Sequence, residues 1–149
     1  MNIYPFIHGQ RAGALVWVRN YEGKVLFQFR DSNPRISPLQ FSLWGGAIEE
    51  GESPELAASR ELFEELGMQT AINPVSDMHK MMVTSQYGDV PSYLCELSRP
   101  VSWSNFRVYE GAGAAFFTLS EVRALEATGI LAPIASLWVE YMVSKQLFS

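Results

Sequence analysis

Cysteine is almost missing from this chain of 149 residues: Cys95 is the only one, so no intrachain disulfide can form. A reducing, cytoplasmic setting is the simplest expectation. Histidine is nearly as scarce, with His8 and His79 far apart in sequence, which leaves little to build a zinc site from. Charge is thin as well. Only 18% of residues are charged, and 11 Lys and Arg face 16 Asp and Glu, for a formal charge of −5. That balance argues against gripping long nucleic acid by phosphate neutralisation. Long apolar runs are absent too. The stretch from Ile130 to Val143 contains Pro133 and Glu140 and is too short and interrupted to span a bilayer, so no membrane partner is expected. The start, MNIYPFIHGQ, has no basic segment and breaks at Pro5, which makes it a poor signal peptide. No internal repeat, low-complexity block or linker divides the sequence. With 48% hydrophobic residues it has ordinary globular composition, and its length suits one domain spanning residues 1–149.

What the chain does have is a mixture of strand and helix signals. Ala12 to Arg19 and Lys24 to Arg30 are β-rich apolar runs flanking the turn-forming Asn20-Tyr21-Glu22-Gly23, which predicts a hairpin. Asp31 to Gln40, with two prolines, reads as an irregular loop. Phe41 to Ile48 is a short apolar piece carrying Gly45-Gly46. Ser53-Pro54-Glu55 opens a helix, with Ser53 as N-cap and Pro54 at its first position, and Gly67 closes it. Met78 to Ser85 and Val90 to Leu97 read as strands joined around Gly88-Asp89, and Ala114 to Thr118 as another. Ser120 to Ala127 reads as a short helix capped by Ser120. Pro133 to Leu147 reads as a closing helix that turns Leu137, Tyr141 and Met142 toward the core. Hairpins alternating with helices predict an α/β or α+β fold with a mixed sheet.

The informative segment is Gly46 to Met68, GAIEEGESPELAASRELFEELGM. At about 100° per residue, Glu64 lies roughly −60° and Glu65 roughly +40° from Glu61, so the three carboxylates share a helix face. Ser59, Leu62, Phe63 and Leu66 gather around the opposite face and are expected to bury, with Ala57 and Ala58 flanking the acidic side. Three like charges within one turn repel each other and gain by binding a cation. Oxygen ligands in this number suit Mg²⁺ or Mn²⁺. A bare cluster of this kind is usually a solvated acidic face. Here it stands inside a longer frame: Gly46, then Glu52, then Arg60-Glu61-Leu62, Glu64-Glu65 and Gly67-Met68, with fixed spacings. Seven of these positions demand a single residue type, which makes a chance match remote.

This frame resembles the Nudix box, G-x5-E-x7-R-E-U-x-E-E-x-G-U with U aliphatic, at every specified position; Met68 is the softest match. The resemblance implies an α/β/α sandwich with a mixed β-sheet, and hydrolysis of a diphosphate linked to a nucleoside or similar group, with Mg²⁺ as cofactor and Mn²⁺ as substitute. It implies that Glu61, Glu64 and Glu65 are metal-binding and base carboxylates, with the base unassigned among them. Glu52 and Arg60 would tie the loop to the helix. Gly45 and Gly46 would let backbone approach the metal, the Gly45 carbonyl serving as a ligand. Gly67 completes the structural support. The implied partner is a small nucleotide; the oligomeric state is left open, a homodimer included. Two alternatives stand beside this: a Nudix-like nucleotide-binding module without turnover, and an RNA 5′-end pyrophosphohydrolase.

Outside the box, Glu110 lies in a loop before the last expected strand, where several Nudix members carry an extra ligand or base; Glu96 is its competitor. Arg30 and Arg35 precede the site loop and are candidates for phosphate contacts. Trp44, Tyr87, Trp103 and Phe106 are candidates for stacking on a base, Trp44 standing next to the paired glycines. Cys95 is expected to be a buried small hydrophobe, and His79 a strand residue without function.

Overall fold

Alternation along one strand divides the interior in two. In β2 (Gly13–Trp17), Ala14 and Val16 enter one apolar core while Leu15 and Trp17 face another, as the period of two in an extended chain requires. Strand β3 (Val25–Phe29) divides in the same way, Leu26 to the first core and Val25 and Phe27 to the second. The computed structural model describes residues 3–4, 12–32, 38–69, 74–85 and 88–149. Its other strands are β1 (Ile3–Tyr4), β4 (Phe41–Ser42), β5 (Trp44–Ala47), β6 (Val75–Ser85), β7 (Gly88–Leu97) and β8 (Gly113–Phe117). The helices are α1 (Pro54–Leu66), α2 (Leu119–Ala127) and α3 (Pro133–Ser144), with a single 3-10 turn at Trp103–Asn105.

The strands form two sheets. One runs β1-β6-β7-β2-β5 and is mixed: β1 with β6 and β7 with β2 are parallel, while β6 with β7 and β2 with β5 are antiparallel. The other, β4-β3-β8, is antiparallel. Helix α1 supplies Ala57, Ala58, Leu62 and Leu66 to the first core. Helices α2 and α3 supply Val122, Ala135, Trp138, Val139 and Met142 to the second. Helices thus cover both faces of a mixed sheet, as expected. Among the described residues, no helix is long and apolar enough to cross a membrane.

Four local expectations need correction. The hairpin exists only at its tip, where Leu26 N–H donates to Val18 O at 2.8 Å and Arg19 bridges Val25. Beyond it the two strands part into different sheets, because each finds better partners there: β2 lies between β7 and β5, and β3 between β4 and β8. The cap of α2 is Thr118, which exchanges hydrogen bonds with Glu121 in a capping box; Ser120 is already inside the helix. Helix α3 buries Ala135, Trp138, Val139 and Met142. Leu137 and Tyr141 are only partly covered. The strand pair β6–β7 is present, but Gly88 and Asp89, expected to join the strands, lie inside β7, paired to Ser85 and Thr84.

Candidate active site

Helix α1 begins and ends where its sequence says. The Ser53 hydroxyl accepts the Leu56 N–H, Pro54 takes the first position, and Gly67 adopts φ 66°, a left-handed cap natural to glycine. The buried arc, however, is rotated from the expected one. Ala57, Ala58, Leu62, Glu65 and Leu66 are buried, which puts Glu65 near the middle of the covered face. Phe63, expected in the core, is 57% exposed. Alanines at 57 and 58 let the helix approach the sheet closely enough to cover that side.

Glu65 is only 3% exposed, and its Oε1 accepts the Gly45 N–H at 2.7 Å. Strand β5 brings that amide in by running very close to β2. Gly45 has φ 126°, and a Cβ there would fall 2.2 Å from Ala14 O, so only glycine fits. The neighbouring Gly46 leaves a cradle for Glu61: a Cβ at Gly46 would lie 2.5 Å from Glu61 Oε1. The paired glycines therefore give two box carboxylates their places.

Arg60 holds the loop to the helix. Its Nε and Nη2 donate to the two oxygens of Glu52 at 2.8 and 3.0 Å, and Nη2 also donates to Ala47 O at 3.1 Å. This fork-to-carboxylate geometry is the strong form of the contact, and it holds Glu52 below the usual carboxylate range. The other nitrogen, Nη1, reaches Glu61 at 3.0 Å and Glu64 at 3.4 Å. Arg60 is thus both clamp and counter-charge. Glu64 stands half exposed, the outermost of the three.

Glu110 joins this group by a route the sequence does not announce. The last turn of α1 leaves carbonyls without helical partners. The loop before β8 supplies them: Tyr109 N–H donates to Glu65 O at 2.8 Å and Arg107 N–H to Leu66 O at 3.1 Å. On its other side the loop is held by the buried Gln28, whose Nε2 donates to Glu110 O at 3.1 Å, and by Ala112 N–H on Phe29 O at 2.8 Å. Gly111, with φ 87°, is required there, since a Cβ would lie 2.8 Å from Phe29 O. The Glu110 carboxylate lies near enough to Glu65 to act on its charge. Burial pushes the Glu65 carboxyl up to about 9, and Glu61 and Glu110 push it the same way against the opposing Gly45 N–H. Burial raises Glu61 as well, with the Arg60 charge opposing it. The competitor, Glu96, lies elsewhere: its carboxylate accepts His79 Nε2–H at 2.8 Å, while the Tyr141 hydroxyl of α3 sits 3.0 Å from His79 Nδ1. His79 therefore links β6 to α3, a part the sequence did not suggest.

A cavity of 410 Å³ opens beside Glu110, lined among the described residues by Gln28, Arg30, Asp31, Tyr109, Glu110 and Gly111. Arg30, a candidate for phosphate contact, lines it. Trp44 does not: it is fully buried, its indole N–H donating to Leu26 O at 3.2 Å, and it joins β5 to the second sheet. Phe106 is buried in the first core and Trp103 packs on Phe106 and Phe116, with ring centres 5.2 and 5.1 Å away. Arg35 and Tyr87 lie outside the described residues. Cys95 is buried, as expected.

Residues 9–130 match the family model of the NUDIX domain. The chain belongs to the Nudix family. The match spans the whole box and Glu110. Among solved structures, the MutT protein from Methanosarcina mazei is 19% identical, covers 98% of this chain and 99% of its own, and superimposes with a TM-score of 0.75. The dihydroneopterin triphosphate pyrophosphohydrolase of E. coli is 16% identical over 97% of this chain and 99% of its own, TM-score 0.64. A bifunctional NMN adenylyltransferase/ADP ribose pyrophosphatase from Francisella tularensis, complexed with AMP and Mn ion, is 16% identical over 91% of this chain but only 42% of its own, TM-score 0.71. At such identities the likeness is one of fold. No curated protein gives a significant sequence match. As a family member with an intact box, the chain is a Nudix hydrolase.

Proposed function

We propose that this Nudix hydrolase cleaves a diphosphate linkage in a nucleoside diphosphate derivative, with nucleotide sugars and (modified) nucleoside triphosphates as leading substrates and Mg²⁺, or Mn²⁺ in its place, as cofactor. The observation that carries the proposal is the convergence of Glu61, Glu65 and Glu110 at the paired glycines, beside a cavity that Arg30 also lines. The donor set fits a hard divalent ion, since every side chain in it offers oxygen. The Gly46 cradle fits it too, since only a residue without a Cβ leaves the Glu61 carboxylate its place there. Among the described residues, no three acidic, histidine or cysteine side chains already stand close enough to grip an ion, and Arg60 supplies the local positive charge. Glu61, Glu64, Glu65, Glu110 and the Gly45 carbonyl would hold the ion, Glu64 swinging in from the surface.

A bound divalent ion would neutralise phosphate charge and make an attacking water more acidic. The residues of the chain do the rest. A site carboxylate accepts the proton of the water. The water oxygen bonds to phosphorus in line with the diphosphate bridge, whose P–O bond breaks and whose electrons leave with the departing phosphate. Arg30 pairs with phosphate oxygens in the cavity. The Glu52–Arg60 clamp and the Gln28 amide keep the two carboxylate-bearing segments in register. Support for this chemistry also comes from the fold neighbours described as triphosphate and ADP ribose pyrophosphatases. The test is a panel of nucleotide sugars, dinucleotides and nucleoside triphosphates with Mg²⁺ or Mn²⁺, scored for phosphate and nucleoside monophosphate released. Turnover of at least one nucleoside diphosphate derivative is expected; a panel inert with both ions overturns the proposal.

A further inference from the structure

A second cavity, of 540 Å³, opens at the end of α1 away from Ser53, between the helix cap, the hairpin tip and the segment from Arg99 to Asn105. Among the described residues it shares no lining residue with the cavity beside Glu110, and no step of the proposed reaction uses it. Its walls are set by hydrogen bonds within the chain. At the tip, Asn20 Oδ1 accepts the N–H groups of Glu22 and Lys24 at 3.0 and 2.9 Å, which holds the root of Tyr21 between them. Val101 N–H donates to Arg19 O at 2.8 Å, tying the next wall to the same hairpin, and Arg107 N–H donates to Leu66 O at 3.1 Å, tying it to α1. Walls placed before anything enters lose little freedom on binding.

The lining chemistry selects the guest. Met68 and Val101, 6% and 1% exposed, give an apolar floor with Pro100 beside them, and the ring of Tyr21, exposed at the tip, adds a flat face. The fixed polar groups are donors. Arg99 is the only formally charged lining side chain among the described residues. Asn105 Oδ1 is taken by the Ser102 N–H at 2.8 Å and the Ser102 hydroxyl at 3.3 Å, so what its amide offers a guest is N–H. In a chain of net charge −5, a cavity lined by a cation and an amide donor, and by no carboxylate among the described residues, is a place for an anion. A guanidinium fork matches a carboxylate with two parallel bonds. One cation balances a single negative charge, whereas a phosphate monoester brings nearly two. The apolar floor favours a carbon body over a second polar group. We propose that this cavity is a second binding site, separate from the hydrolytic one, for a small monocarboxylate with a flat apolar body. Gly67 and Met68 follow Glu65 directly in the chain after Leu66, so the bound acid lies against the end of the helix that carries the carboxylates. The inference does not rest on the proposed hydrolysis.

Phenylacetate, phenylacetamide and inorganic phosphate are titrated by NMR into isotope-labelled wild type, Tyr21→Ser and Arg99→Gln. Phenylacetate carries both the body and the charge, the amide only the body, and phosphate only the charge. Tyr21 sits on an exposed turn, so Tyr21→Ser keeps the fold should Arg99→Gln disturb it. For a ligand of about ten heavy atoms, a Kd on the order of 1 mM is expected. Saturable shifts should centre on the backbone amides of Met68, Gln69, Val101 and Asn105 and leave Gln28, Glu110 and Gly111 in place. Phenylacetamide and phosphate should each bind at least about tenfold more weakly. Phenylacetate affinity should fall about tenfold in Arg99→Gln and about fivefold in Tyr21→Ser. Absence of saturable shifts at tens of millimolar, equal affinity for the amide, tighter binding of phosphate, shifts centred on Gln28 and Glu110, or unchanged affinity in either folded variant would each overturn the inference.

Discussion

Glu65 shows what single side chains contribute here. Its carboxyl rises from the ordinary 4.5 to about 9 in the fold, burial being the first cause. Between those values the folded chain binds more protons at this site than the unfolded chain does, so stability falls as pH rises. The contribution is fully present below about 4.5 and is lost as pH climbs toward 9. In chelator, Glu65→Gln should therefore flatten the stability profile between pH 5 and 9 and gain at least ~1 kcal/mol near pH 8, read by thermal unfolding. With Mg²⁺ present, turnover should drop about 100-fold or more as a carboxylate that would hold the ion disappears. A sharp loss of stability with activity intact would make the residue structural. Gln28 acts through Glu110, so Gln28→Leu should lower kcat about tenfold with little change in KM, and should add little to a Glu110→Gln background. Full additivity in that pair would contradict the positioning role. At this scale the sequence revealed the grouping of the box glutamates on one helix and the Glu52–Arg60 pair, because both follow from spacing along one helix and its loop. It misjudged Trp44, since an aromatic beside two glycines carries no sign of which way it faces. Gln28 and Tyr109 escaped notice because their neighbours arrive from 82 and 44 positions away.

Among the elements, α1 is the most legible: Ser53, Pro54 and Gly67 fix its ends from local chemistry alone. Its rotation about its own axis was not legible, because the glutamates suggested a solvent face and Glu65 is in fact covered. The amide of Gly45, on another strand, makes that burial tolerable. Strand β5 differs from ordinary strands in needing no side chains at its centre, and its two glycines should respond differently to alanine. At Gly46 the obstacle is the flexible end of Glu61, 2.5 Å away. Gly46→Ala should fold with nearly normal stability but lose about 100-fold in kcat as Glu61 is displaced. At Gly45, itself at φ 126°, the obstacle is the Ala14 backbone, 2.2 Å from a Cβ, so Gly45→Ala should fail to accumulate as folded protein. Circular dichroism and turnover of the two variants side by side check this; normal folding of Gly45→Ala would show that β5 can move away from β2.

Across the molecule, the site forms where α1, β5, the end of β3 and the loop before β8 meet, and two of these belong to different sheets. The predicted hairpin concealed that arrangement. Its tip obeys local turn chemistry, but the strands beyond it are claimed by partners 28 to 92 residues distant, which no local pattern reports. On the far face, α3 is fastened through Tyr141, His79 and Glu96. Glu96→Gln keeps an acceptor for His79 and lies away from the carboxylates, so its kcat and KM should match wild type. A large kcat loss there, with Glu110→Gln silent, would move the extra carboxylate to the wrong face of the sheet for this account.

The central claim is that the carboxylates gathered around Gly45 and Gly46 work through a divalent ion. The most direct measurement is turnover of the best panel substrate, in EDTA and after Mg²⁺ is restored, on the same wild-type sample. The account predicts no detectable hydrolysis in chelator and full recovery with Mg²⁺. Undiminished hydrolysis in EDTA would contradict it.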